Sequence, residues 1–238
     1  MTLPTQTTVK ELDPVFAEMA AASFQLAGPG TQLTPRERTL LNLVADVCEQ
    51  VLGMPFELHV RAALDNGLDA DDLRELFRFI SYDSGYPAAL AALERLAEVE
   101  RKHGLPGPTG KGHHVNTDGT GSPLPAAMRA EVRALDPGFA DYMDLQSRMR
   151  AGMSRISVRE RAFATMTVDV LYQTLQESFR AHVGRALSAG ATPDEIRAAV
   201  RATATFGMTR TWRALNVLDA LLADREEGRQ GKQSAGDA

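Results

Sequence analysis

Several features are scarce in this 238-residue sequence, and each shortage excludes a class of protein. A single cysteine means that no disulfide can form within the chain, which excludes a disulfide-stapled secreted framework. No apolar run approaches the roughly 20 residues of a membrane-spanning helix, and the beginning lacks the apolar stretch of a signal peptide. The net charge of −5 argues against a nucleic-acid partner, because phosphate binding favours a basic surface. We therefore expect a soluble, cytoplasmic protein with neither nucleic-acid nor membrane partners.

The sequence contains an internal repeat. A shift of 123 positions places HVRAALDNG (59–67) on HVGRALSAG (182–190), and LDPVFA (12–17) on LDPGFA (135–140). Over 34–81, 16 of 48 positions are identical to their counterparts without a gap. Beyond this stretch the offset becomes 122, which places Gly85 on Gly207. We interpret this pattern as the duplication of a unit of roughly a hundred residues.

Both repeats are predicted to be helical. Residues 34–37 (TPRE) and 157–160 (SVRE) have the pattern of a capping box, in which a hydroxyl and a glutamate three residues later satisfy the first backbone groups of a helix. Gly67 and Gly190 fit the ends of the His-bearing helices. Apolar residues recur at intervals of three and four, and no alternating strand pattern is found. The predicted fold is all-α, with two tandem helical repeats that pack together as a pseudo-dimer.

The segment boundaries follow from composition. Residues 1–103 form the first repeat, and 126–225 form a second, diverged repeat. Between them, 104–125 is rich in Gly and Pro and has no hydrophobic period, as expected for a linker. The end, 226–238, has no apolar anchors and is predicted to be a disordered tail.

The first repeat resembles the carboxymuconolactone decarboxylase family, which also contains the AhpD-like peroxidases. The family's sequence motif begins with a Glu just before a His and continues with an Ala-Leu helix and a Gly. An acidic helix start with a Glu one turn later follows, and then Gly-x-Pro. The matching residues are Glu57, His59, Ala63-Leu64, Gly67, Asp72, Glu75 and Gly85-Tyr86-Pro87. One departure is Asp83, at a position where the family usually has Tyr, although Tyr82 lies beside it.

The second repeat keeps only part of this motif. His182 and Gly190 remain, whereas Glu57 and Glu75 are replaced by Arg180 and Ala198. Bulk and charge are added where the first repeat is Ala-rich, at Arg210, Trp212 and Arg213. We therefore expect the first repeat to hold the main site.

The peroxidase branch of the family uses a Cys-x-x-Cys pair just before the His. Here that region offers only Cys48, at a different spacing and without a second thiol. Thiol–disulfide chemistry needs both an attacking thiolate and a partner sulfur. The thiol peroxidase interpretation is therefore disfavoured.

The resemblance implies an enzyme that moves protons. His59 is the first candidate, since imidazole gives and takes protons near neutral pH; Glu57, Glu75 and His182 are further catalytic candidates. The candidate substrate-binding residues are Asp46, Gln50, Tyr82, Asp83, Tyr86, Arg210 and Trp212. The sequence contains no nucleotide fingerprint and no metal-ligand cluster, so we predict neither a cofactor nor a metal.

The predicted function is that of a cofactor-independent lyase of the carboxymuconolactone decarboxylase type. Its substrate would be a small carboxylated lactone or keto-acid. One alternative is an isomerase or cyclase that uses the same His in a biosynthetic pathway, and another is a non-catalytic helical scaffold. Single-repeat family members typically form rings, so the resemblance also implies a homo-oligomer, with three fused pairs giving a trimer.

Overall fold

The computed structural model describes residues 6–27, 32–110, 115–118 and 124–236, and every regular element in those ranges is a helix. The first repeat contains α1 (Gln6–Leu12), α2 (Pro14–Ala27), α3 (Pro35–Glu49), α4 (Met54–Asp65), α5 (Ala70–Ser84) and α6 (Tyr86–His103). The second contains α7 (Ala126–Leu135), α8 (Pro137–Arg150), α9 (Val158–Tyr172), α10 (Glu177–Ser188), α11 (Pro193–Ala202) and α12 (Met208–Gly236), with a 3₁₀ turn over Thr203–Phe206. The all-α prediction is confirmed.

Capping boxes start corresponding helices in the two repeats. In each, a side chain accepts a hydrogen bond from the backbone three residues on, and the acidic residue at that position accepts one from the cap in return. The pairs are Thr34–Glu37, Asp69–Asp72, Ser157–Glu160 and Thr192–Glu195. The boxes predicted for α3 and α9 are thus confirmed, and they fix where both long central helices begin.

The two His-bearing helices also end alike. Gly67, with φ of 78°, follows α4, and Gly190, with φ of 86°, follows α10. A side chain at this left-handed φ would be strained, so glycine at both positions ends the helices without cost. The His side chains of α4 and α10 are therefore carried by helices of equal length.

A reciprocal pair of ion pairs joins the repeats. Nε of Arg36 donates to Oε1 of Glu160 at 2.7 Å, and Nε of Arg159 donates to Oε1 of Glu37 at 2.7 Å. Because these residues correspond under the 123-residue shift, each repeat makes the same contact with the other. That exchange is the mark of a two-fold relationship, as in an isologous dimer interface. Helices α3 and α9 pack against each other at its centre.

The hydrophobic core extends across both repeats. One buried cluster centres on Phe56 and Phe77 of the first repeat but also includes Ile156 and Val168 of the second. The other centres on Phe163 and takes in Leu33 and Leu41 of the first repeat. Shared burial of this kind makes the repeats one folding unit, since separating them would expose both clusters.

The linker and the tail differ in outcome. Where it is described, the predicted linker 104–125 has neither helix nor strand; residues 111–114 and 119–123, with His113 and His114, lie outside the described residues. Helix α12 continues to Gly236, so the structure describes helix within the segment 226–238, for which the sequence predicts a disordered tail. Its Glu, Arg, Gln and Lys residues are good helix formers, which accounts for the continuation without apolar anchors. Across the described ranges, no helix combines the length and apolar character that spanning a bilayer requires.

Candidate functional site

The first repeat contains a buried Asp–His pair. Nδ1 of His59, on α4, lies 2.6 Å from Oδ2 of Asp46, on α3. Asp46 has no exposed surface, whereas 23% of the His59 side chain is exposed. With Nδ1–H directed at the carboxylate, the other ring nitrogen, Nε2, is left to face a ligand. This is the arrangement that sets the tautomer of a proton-transferring histidine.

The second repeat has the same pair with more support. Nδ1 of His182 lies 2.6 Å from Oδ2 of Asp169. The other carboxylate oxygen of Asp169 accepts hydrogen bonds from the hydroxyls of Thr174 and Ser178, both at 2.7 Å. Only 10% of the His182 side chain is exposed.

The Asp46 carboxylate, by contrast, relies on a single donor. Its Oδ1 is buried and makes no hydrogen bond within the described structure. Burial raises the pKa of Asp46, and the hydrogen bond and charge of His59 oppose that rise only in part. His59 is therefore the donor on which the Asp46 charge depends within the described structure.

Each pair faces a residue from the other repeat. The ring of Phe206 lies 6.4 Å from the His59 ring, centroid to centroid. Under the 123-residue shift Phe206 corresponds to Asp83, which is close enough to His182 and Asp169 for both charges to act on its pKa. The duplication therefore puts an aromatic ring beside one histidine and a carboxylate near the other.

Asp83 belongs to a buried ionic cluster. Its Oδ2 lies 3.1 Å from a terminal nitrogen of Arg150 on α8, and the Arg150 guanidinium stacks 3.9 Å from the Tyr82 ring centroid. Burial raises the pKa of Asp83 and lowers that of Arg150, because neither charge is well solvated there. Tyr82 and Asp83, predicted as substrate-binding residues, thus lie in a cluster near the second histidine.

Glu57 is directed into a network on α6. Its carboxylate is bound by Arg95, by Nζ of Lys102 at 3.1 Å to both oxygens, and by Nε2 of His103 at 3.1 Å. Burial would raise the pKa of Glu57, but Lys102, His103 and Arg95 together hold it below its ordinary value. None of the hydrogen bonds of Glu57 in the described structure goes to His59.

Glu75 supports the chain of the other repeat. Its Oε1 accepts from the backbone N–H of Arg155 at 2.7 Å and of Ile156 at 2.9 Å. The side chain is 1% exposed. Glu75 therefore anchors the segment before α9, and its catalytic role stays a prediction without a contact to support it.

The remaining predicted binding residues are dispersed. Gln50 ends α3 with φ of 55°, and its side chain donates to the Val47 carbonyl at 2.7 Å. The hydroxyl of Tyr86 donates to Gln146 at 3.0 Å. Arg210 binds Glu49 through two nitrogens, at 2.6 and 3.1 Å, and Trp212 is 66% exposed. These contacts account for Gln50, Tyr86 and Arg210 without a ligand.

The lone thiol is buried and weakly acidic. Burial raises the pKa of Cys48 to about 12. A reactive cysteine needs a thiolate near neutral pH, which this environment opposes. Among the described residues, no three His, Cys, Asp or Glu side chains are grouped as metal ligands.

Sequence reasoning missed the partners more than the histidines. Asp46 was selected only as a binding residue, and Asp169, Phe206 and Arg150 were not selected at all. One signal was available: an Asp lies 13 residues before the His in both repeats. A carboxylate and an imidazole retained together at one spacing predict a pair, provided that consecutive helices pack antiparallel.

Comparison with known proteins agrees with this architecture. The model of the carboxymuconolactone decarboxylase family matches residues 11–98 and again 139–220. A crystal structure from Burkholderia xenovorans LB400, named "putative gamma-carboxymuconolactone decarboxylase subunit", superposes with a TM-score of 0.50 at 20% identity, covering 91% of this chain and 90% of that one. At that identity the likeness concerns the fold alone. No curated protein matches significantly. Two family segments, each built around an Asp–His pair, show that the chain belongs to the carboxymuconolactone decarboxylase family as a tandem repeat.

Proposed function

We propose that this protein is a cofactor-independent lyase of the carboxymuconolactone decarboxylase type, in which His59 transfers a proton to or from a small carboxylated lactone or keto-acid. The observation that carries the proposal is the Asp46–His59 pair at 2.6 Å, with the imidazole partly exposed and Nε2 without a partner in the described structure. A histidine held in one tautomer by a buried carboxylate is suited to general acid–base catalysis.

The proposed reaction is a decarboxylation followed by protonation of the same carbon framework. The bond between the substrate carbon and its carboxylate breaks, carbon dioxide leaves, and the electron pair stays behind as a dienolate. The protonated imidazole of His59 then donates its Nε2 proton to carbon, and the neutral ring regains a proton from water. Asp46 stabilises the imidazolium form before and after this transfer, because His59 is its donor within the described structure. The apolar Phe206 beside the ring lowers the local dielectric and so strengthens this interaction.

An isomerase or cyclase is the second candidate, and one contact favours it. Arg210 is the cation among the predicted substrate-binding residues, but both of its terminal nitrogens bind Glu49 rather than being left for a substrate carboxylate. Isomerisation needs only proton removal and return by the same histidine. It therefore requires the Asp46–His59 pair without a guanidinium.

Incubation with gamma-carboxymuconolactone in D₂O separates the candidates. A lyase releases carbon dioxide and incorporates one deuterium in the product, and His59→Ala abolishes both. Deuterium exchange without release of carbon dioxide, on this or a related unsaturated acid, would replace the lyase by an isomerase. If neither reaction is detected with a panel of carboxylated lactones and keto-acids, the remaining interpretation is the non-catalytic scaffold. Mass spectrometry of small molecules that copurify with the chain would extend that panel.

The proposed assembly is a trimer of fused pairs in the cytoplasm. Both repeats expose apolar side chains at corresponding positions near their first helices: Leu12, Phe16 and Met19, and Leu135, Phe139 and Tyr142. Exposed apolar stripes often mark interfaces between subunits. A closed ring would let the stripe of one repeat meet a neighbouring chain. Light scattering at high concentration should give three times the chain mass; a monomer would contradict the ring.

A further inference from the structure

A cavity of about 840 Å³ lies in the second repeat, between the start of α10 and the inner face of α12. Its walls come from the α9–α10 loop, the first turns of α10 and three positions on α12. The lining residues that matter here are Thr174, Leu175, Ser178, Arg180, Arg213, Val217 and Leu221. This volume is within the usual range for small-molecule sites.

The first repeat fills the equivalent place with its own side chains. Arg180 corresponds to Glu57, and Val217 corresponds to Arg95 once the one-residue change of register is applied. In the first repeat Arg95 binds Glu57, and its Nε also donates to the Leu52 carbonyl at 2.8 Å. The second repeat has lost both members of that ion pair. Replacing Arg by Val removes volume, and replacing Glu by Arg reverses the charge.

Two guanidinium groups therefore face the cavity without a protein carboxylate to bind them. Arg180 and Arg213 are both exposed, and neither makes an ion pair or side-chain hydrogen bond within the described structure. Glu177 also lines the cavity, so the two arginines leave a net positive charge. Guanidinium binds carboxylates through paired hydrogen bonds. Leu175, Val217 and Leu221 supply an apolar wall beside it.

The cavity wall is also connected to the second Asp–His pair. Thr174 and Ser178 line the cavity and donate to Oδ1 of Asp169, which binds His182 through its other oxygen. A ligand that draws on either hydroxyl would change the hydrogen bonds that hold Asp169. The imidazole of His182 is then the natural reporter of occupancy.

We propose that the second repeat carries a binding site for a small carboxylate with an apolar body, held by Arg180 and Arg213 in the place that Glu57 and Arg95 fill in the first repeat. The site goes beyond the proposed catalytic activity at His59, and its existence does not depend on that activity. Its ligand binds behind the Asp169–His182 pair and is sensed there through Thr174 and Ser178.

The test uses octanoate and benzoate as probes, with calorimetry on the full chain. Both should bind the wild type, and Arg180→Gln/Arg213→Gln should weaken binding at least about tenfold, since each lost charge-assisted contact has a large effect. Arg201→Gln is the matched control, because Arg201 is an exposed arginine on α11 outside the cavity, and it should leave affinity unchanged. Equal affinity of the double variant and the wild type, or no binding of either probe, would overturn the proposal.

A second variant fills the cavity with side chains instead of removing its two positive charges. Arg180→Glu/Val217→Arg recreates the ion pair of the first repeat and should abolish binding while the thermal midpoint is retained. 1-Octanol and inorganic phosphate separate the two halves of the ligand: neither should match octanoate, and a neutral alcohol that binds as well would overturn the role of the arginines. In NMR spectra, octanoate should shift the imidazole signals of His182. A shift confined to His59 would place the ligand in the first repeat and refute the site.

Discussion

The two Asp–His pairs have the same geometry but different surroundings. Both put Nδ1 of the histidine 2.6 Å from an aspartate oxygen. In the second repeat, two hydroxyls donate to the second oxygen of Asp169, whereas Oδ1 of Asp46 in the first repeat is buried and has no partner among the described residues. The duplication thus preserved the pair itself and changed what holds it. A fully supported carboxylate favours a fixed structure, whereas one that depends on its histidine favours proton transfer.

The two histidines also differ in their neighbours: charged side chains lie near His182, and an aromatic ring lies beside His59. Near His182 lie Asp83 and the buried guanidinium of Arg150, while the counterpart of Asp83 beside His59 is Phe206. On the opposite side, the first repeat is filled by the Glu57 network and the second holds a cavity. The two repeats therefore place their buried charges against different partners: Glu57 binds α6 in the first repeat, and Asp83 binds Arg150 near the histidine of the second.

The largest expected effect concerns the two histidines. His59→Ala should lower turnover at least about a hundredfold, the lower range for a lost acid–base group. His182→Ala should act mainly on stability, because that side chain is more buried and its aspartate is bound elsewhere. Turnover and melting temperature of both variants provide the measurement. Equal, large losses of turnover with unchanged melting would mean two active sites.

The next effect concerns the buried Asp83–Arg150 ion pair near the second histidine. Arg150→Met should lower the free energy of unfolding by about 2–3 kcal/mol, below the range for fully buried pairs because both side chains keep some exposure. Asp83→Phe/Arg150→Ala introduces the residues that align with these two positions, Phe206 of the second repeat and Ala27 of the first, and leaves no unpaired charge. Urea unfolding should show the double variant to be more stable than Arg150→Met. If the double variant were the weaker of the two, the pair would not be the source of the loss.

The two aspartates should differ in what they stabilise. Asp169→Asn should lower the free energy of unfolding by about 1–2 kcal/mol, because an amide cannot accept all three of its hydrogen bonds. Asp46→Asn should cost less than about 1 kcal/mol, since one bond is retained and a buried charge is removed. Denaturant midpoints of the two variants decide this point. Equal losses would contradict the difference in support.

The smallest effect is the part of the pH dependence of stability that comes from Glu57. The folded-state pKa of Glu57 lies below its ordinary value, so this group stabilises the fold above its unfolded pKa of about 4.3, and the stabilisation is lost as the pH falls from there towards the folded pKa. Glu57→Gln should therefore differ from wild type most at pH 7 and least in acid. Glu94→Gln, an exposed neighbour on α6, is the control and should show no such trend. If the difference in stability between Glu57→Gln and wild type stayed constant with pH, the Glu57 network would not contribute to the loss of stability in acid.

Local patterns in the sequence were sufficient for the fold. The boxes that begin at Thr34 and Ser157, and the glycines at 67 and 190, depend on contacts within one helical turn, so reading them needs no knowledge of the tertiary structure. The 123-residue repeat likewise predicted two similar helical units. Helix α12 extends to Gly236, through most of the segment for which the composition predicts a tail.

The site was predicted less completely, for a physical reason. His59 and Asp46 were selected, and they do meet, but Glu57 lies two residues from His59 and points to a different neighbour, since adjacent positions on a helix face different ways. Glu75 supports the other repeat, 80 residues further along the chain.

The sequence by itself determined the helices, the duplication and the identity of the two histidines, because these rest on periodicity and on short-range hydrogen bonds. Only the tertiary structure decided which carboxylate each histidine binds and which residue of the opposite repeat faces it. It also decided that the second repeat has a cavity where the first has the Glu57–Arg95 ion pair. Those contacts join residues on different helices, and their energies depend on burial and on the spacing between elements. Local sequence patterns do not specify these contacts, because the contacts form only when the helices pack.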